Sequence, residues 1–181
     1  MNLHETRRGS RPIWVVAVIA AVLQLAIPPQ ISIASGTVNF MVALALVLSL
    51  SRDPSSAVYI GFASGLFFDL TSSAPIGLMT LILTVASFVV ATSSHGVLGG
   101  FTTDSLRLVA IGIVAVNLIN GLCLFFMGVQ TNFLWALFGH GISSSILDML
   151  AASLMLFFMG SSTTQRGFSS RSRGGRYKTL K

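Results

Sequence analysis

Apolar residues occur in long blocks separated by short polar breaks, and these blocks predict helices. Ile13 to Ile27 (IWVVAVIAAVLQLAI) is the first, ended by Pro28 and Pro29. The second runs from about Ile31 or Thr37 to Leu50, before the polar turn Ser51-Arg-Asp-Pro-Ser-Ser, where Pro54 and the serines suit a helix start. The third extends from about Ala57 to Leu70, and a fourth reaches about Ala91, with Ser72 or Ser73 as its cap and Pro75 in its first turn. Thr92 to Ser105 reads as a loop or interfacial segment. Leu106 to Met127 is the fifth helix and Phe133 to Met159 the sixth. The first block also has the shape of a signal peptide, but Ala26-Ile-Pro-Pro offers no small-x-small cleavage site, so an uncleaved helix is expected.

Within the third segment, Ala57, Gly61, Gly65 and Asp69 recur at four-residue steps and share one helix face. Small residues let backbones approach closely, which favours helix association in a bilayer, where lipid is as apolar as leucine. Asp69 would lie near the positive end of the fourth helix, where unpaired N–H groups favour an anion. It serves either as a turn acid capping that helix or as a partner contact, and one carboxylate can do both. Gly61 and Gly65 alone form a weak GxxxG signal that gains value from the acid on the same face.

Composition places the whole pattern in a membrane. The 181 residues are 53% hydrophobic and 9% charged, where soluble domains carry roughly 25% charge. The expected architecture is an all-α integral membrane protein with six transmembrane helices over residues 13–160. A basic N-terminus, 1–12, and a Ser/Arg/Gly-rich tail, 161–181, expected to be disordered, flank it.

The net charge of +6 sits mainly in the two ends, so topology and anionic lipid explain it better than nucleic acid. Of the eleven Lys and Arg, three fall in the first tail and six in the last; Arg52 and Arg107 lie beside the breaks after the second and fourth spans. All then lie on one side, which predicts both termini in the cytoplasm and Asp69 toward the outer face. The basic tail is an orientation signal first and an anionic-lipid contact second.

Candidate chemistry is sparse. Cys123 is the single cysteine, which excludes an intramolecular disulfide and a multi-cysteine metal site. No nucleophile, base and orienting acid appear together, and no cofactor or metal is expected. In the sixth helix His140, Ser144 and Asp148 recur at four-residue steps; they predict an interhelical polar seam, meeting Asn117 and Asn120 of the fifth helix, in preference to a proton relay. Gln24 reads as an end-of-helix residue.

The stretch GLFFDLTSSAPIGL, Gly65 to Leu78, resembles the rod shape-determining membrane protein MreD family, which carries G-L-x-x-D-L-x-x-x-x-P-x-G-L. Gly65, Leu66, Asp69, Leu70, Pro75, Gly77 and Leu78 carry the match. The resemblance implies a non-enzymatic component of the bacterial cell-elongation complex. Its implied partners are an MreC-like protein and, through it, the actin-like MreB and the glycosyltransferase and transpeptidase of lateral peptidoglycan synthesis. The implied fold is similar to the six-helix substrate-binding subunit of energy-coupling-factor transporters, so a small-molecule-binding transporter subunit is the alternative. Ala17 and Ala21 offer a fragment of the small face such a subunit needs. Gly61, Gly65, Asp69, Pro75 and Gly77 are then expected to form a partner interface or structural motif.

Overall fold

A computed structural model describes residues 13–27, 32–33, 36–72, 75–94, 102–129 and 141–160. Both tails and His140 lie outside them. Six helices appear among these residues: α1 (Ile13–Ala26), α2 (Phe40–Ser49), α3 (Pro54–Thr71), α4 (Leu78–Ser93), α5 (Thr103–Phe126) and α6 (Ser143–Gly160). A minimal antiparallel ladder, β1 (Ser32–Ile33) with β2 (Gly36–Thr37), precedes α2; Ser32 faces Thr37 and Ile33 faces Gly36. The architecture is therefore all-helical apart from these two short strands.

The centre of the molecule is α2, which touches each of the other five helices. Its sequence, FMVALALVLS, is apolar all round, and a helix of that kind belongs in an interior. Nine of its ten residues are buried. Val42, Val47 and Leu46 pack with Leu83, Val109, Ile113 and Leu156 from α4, α5 and α6. On the opposite side Met41, Leu44 and Leu48 meet Ala20 of α1, with Ala17 and Ala21 alongside, so the small residues of α1 are seated on α2.

The outer helices have the reverse pattern. Trp14 and Val22 of α1, Tyr59 and Leu70 of α3, Leu81 and Val85 of α4, Ile111 and Phe126 of α5, and Leu154 and Phe157 of α6 are exposed. Inside lie Asp69, Asn117, Asp148 and several serines. A chain in water buries its large apolar side chains preferentially and leaves charged groups outside.

Several boundaries differ from the sequence expectation. α2 starts only at Phe40, because the β1–β2 ladder takes up the residues before it. Pro75 precedes α4 and does not enter its first turn; the cap position is Gly77, at φ 94°, and Ser72 instead ends α3. α5 starts at Thr103, where the Thr102 hydroxyl accepts from the Ser105 N–H. Among the described residues, α5 alone is long and apolar enough by itself to cross a membrane. α1, α2 and α4 are shorter apolar helices, as is α6 over its residues 143–158.

Candidate functional site

α3 and α4 form the most intimate helix pair in the molecule, and the glycine face of α3 is what brings them together. A Cβ on Gly65 would stand 2.5 Å from Thr80 Cα and 2.8 Å from the Met79 carbonyl oxygen, both backbone atoms of α4. One on Gly61 would strike the Leu83 carbonyl oxygen and the side chain of Ser87. Within this chain, α4 therefore covers the Gly61/Gly65 face.

That close approach positions Asp69 over the start of α4. A helix begins with N–H groups that have no partner in the helix, and glycine at the cap position supplies no side chain for them. The Asp69 carboxylate does so from the neighbouring helix. Its Oδ2 accepts from Gly77 N and Thr80 N at 2.9 Å each and from the Thr80 hydroxyl at 2.6 Å, and its Oδ1 accepts from Met79 N at 3.2 Å. Asp69 is 1% exposed, yet surrounded by donors at the positive end of a helix dipole.

The start of α2 is built by the same principle with different residues. Asn39 is its cap, and the Asn39 Oδ1 accepts from Met41 N at 3.1 Å and Val42 N at 3.2 Å. Gln24 of α1 accepts from Phe40 N at 2.7 Å, and Asp148 of α6 accepts from Asn39 N at 2.5 Å. The second oxygen of Asp148 accepts from the Asn117 Nδ2 of α5 at 2.9 Å. Each of the leading N–H groups from Asn39 to Val42 thus has an acceptor, supplied by α1, by α6 or by the cap itself. At 1.5 Å per residue α2 is about 15 Å long, so in a bilayer core of about 30 Å its start would lie far from water. There an unpaired N–H is most costly, which is a physical reason for placing a carboxylate and two amides at that level.

Between these two capped starts is a cavity of about 310 Å³. Asn39 and Thr37 border it from the α2 side, Phe68 and Met79 from α3 and α4 with Ser72 and Pro75 from the turn between them, and Asn117, Asn120 and Ser144 from α5 and α6. The structure thus brings Asp69, Pro75 and Gly77 to the same end of the bundle as Asn117, Asn120, Ser144 and Asp148.

Two members of the polar cluster escape the sequence reading. Asn39 directly precedes an apolar run, the usual signature of a helix cap, but the start of that run is blurred by the residues before it. Gln24 is more than an end-of-helix residue, being buried and bonded to α2. Nothing in the spacing of α1 announces a partner sixteen positions away.

These features define a class: a small all-helical protein with an apolar exterior, whose buried carboxylates cap helices. The chain belongs to the MreD family; residues 8–162 match the family model described as rod shape-determining protein MreD. Members of this family are membrane proteins concerned with cell shape, and it is not a known family of enzymes. No curated protein and no solved structure matches the chain.

Proposed function

We propose that the protein is a multi-pass, non-enzymatic component of the bacterial cytoplasmic membrane that scaffolds the machinery of cell elongation. The carrying observation is the family match over residues 8–162, and the outward apolar side chains of the outer helices agree with it. In this reading all six helices lie in the bilayer, several of them shorter than a full span, and both termini face the cytoplasm. The end bearing Asp69 and the cavity faces outward. The basic tail lies against anionic lipid, at about 1 kcal/mol for each Lys or Arg near the surface.

The partner surface is the turn Pro75-Ile76-Gly77, braced from beneath by Asp69. Ile76 is 78% exposed there, while Gly77 N is held by the carboxylate. A partner of the MreC kind docks on this turn and on the adjoining outward side chains of α3, such as Leu70, and through it the chain connects to MreB, the glycosyltransferase and the transpeptidase.

Co-purification with an MreC-like protein from the same source tests the proposal. Ile76→Asp and Leu70→Asp should each reduce recovery of the partner at least fivefold while the chain stays inserted. Undiminished recovery with both would remove this surface. Gly65→Leu is unsuitable for that purpose, because it strikes the α4 backbone and reports on folding.

The cavity supports the alternative, a ligand-binding subunit of an energy-coupling-factor-type transporter. Recovery of a coupling ATPase with the chain, in place of an MreC-like protein, would favour it.

A further inference from the structure

We infer that the cavity beside the starts of α2, α4 and α6 binds a neutral, sugar-sized molecule bearing hydroxyl and amide groups. The inference rests on the cavity alone and stands whether the chain scaffolds partners or delivers a ligand.

The first ground is hydrogen-bonding capacity left open at the wall. Ser144 is 7% exposed, lines the cavity and makes no hydrogen bond among the described residues. Asn120, which also lines it, makes none either, and Asn117 uses only its Nδ2, on Asp148, leaving its carbonyl oxygen open. Ser144 and Asn117 are buried residues and Asn120 is half-buried, so their open groups are reached only through the cavity, and a polar occupant can pair with all three. Asp148 holds the Asn117 amide from behind, so that acceptor is fixed in place before anything binds.

Charge decides the class. No Asp, Glu, Lys or Arg lines the cavity among the described residues. The nearby carboxylate of Asp148 has both oxygens engaged, one by Asn39 N and one by Asn117. An ionic ligand would lose its hydration and gain no counter-charge, whereas hydroxyl and amide groups exchange donors and acceptors with serine and asparagine directly. An acyl chain would leave those side chains unmatched. Phe68, Met79 and Leu124 supply the apolar part of the wall, which the faces of a sugar ring or an acetamido methyl can cover. The volume, about 310 Å³, is at the low end of the roughly 300–1,000 Å³ range of small-molecule sites, which suits a monosaccharide-sized guest.

The experiment uses the full chain in detergent micelles, titrated with N-acetylglucosamine and with myo-inositol as neutral probes. Glucosamine and gluconate are the cationic and anionic controls, and both melting temperature and calorimetric heat are read. At least one neutral probe should raise the melting temperature saturably, with both charged controls at least tenfold weaker. Ser144→Ala, which removes one hydroxyl and little volume, should weaken binding of that probe about tenfold, the worth of one hydrogen bond. Asn120→Leu should abolish it while the unliganded protein still melts cooperatively. If neither neutral probe saturates, if Ser144→Ala binds as the parent does, or if a charged control binds equally well, the inference is overturned. Should the probes fail while Asn120→Leu halves recovery of an MreC-like partner, the cavity is a protein-docking pocket and the small-molecule assignment is likewise overturned.

Discussion

Asp69 shows how a single acid can be kept in a buried site with no cation beside it among the described residues. Its four donors are three backbone N–H groups and one hydroxyl, all from the start of α4. Asp69→Asn keeps the size but turns an amide NH₂ toward donors, so it should lower stability by about 2 kcal/mol, read from the detergent unfolding midpoint. Thr80→Val, which removes only the hydroxyl donor, should cost about 1 kcal/mol. Ser87 is the opposite case: its Oγ is buried against the Gly61 face with no hydrogen-bond partner among the described residues. Ser87→Ala should therefore leave stability unchanged or raise it by about 1 kcal/mol, since a buried unpaired hydroxyl is removed; a loss of more than that would mean the hydroxyl is bonded.

Between elements, the determining contacts are close backbone approach and capping from one helix to another. Gly65→Ala should destabilise by about 2–3 kcal/mol, because the new methyl meets α4 backbone atoms that move only if the helices separate. The start of α2 depends on α6 through Asp148. In Asp148→Ala the amides of Asn39 and its neighbours should exchange hydrogen at least tenfold faster, while the middle of α4 stays protected; uniform acceleration across both helices would contradict this local role.

The four-residue spacing of Gly61, Gly65 and Asp69 makes their shared face legible in the sequence, but spacing does not say which helix will cover it. Nor does it say that Ser72 gives up the capping role to Asp69. That follows from the Pro75–Gly77 turn, whose positive φ at Gly77 sets the direction in which α4 leaves. Asn39 is readable as a cap only once the end of the β1–β2 ladder is known. The cavity is not readable at all, because its wall is assembled from segments lying as far apart in the chain as Thr37 and Ser144.

For the molecule as a whole, an apolar core around α2 holds two buried carboxylates, Asp69 and Asp148, while large apolar side chains project from the outer helices where a protein in water would place charged ones. The expected six apolar segments correspond to six helices among the described residues, though most are short, and in the proposed membrane placement the shortness of α2 leaves its start away from water, where the internal polar caps supply acceptors. The proposed orientation places Asp69, the Pro75–Gly77 turn and the cavity mouth on the outer side, with Arg52 and Arg107 on the cytoplasmic side. Its most direct test is cysteine labelling in intact cells with a membrane-impermeant maleimide, using a Cys123→Ser background to remove the single native thiol. Ile76→Cys should label from outside, whereas Ser51→Cys should label only after permeabilisation. Labelling of position 51 from outside, with position 76 reachable only from the cytosol, would contradict the account.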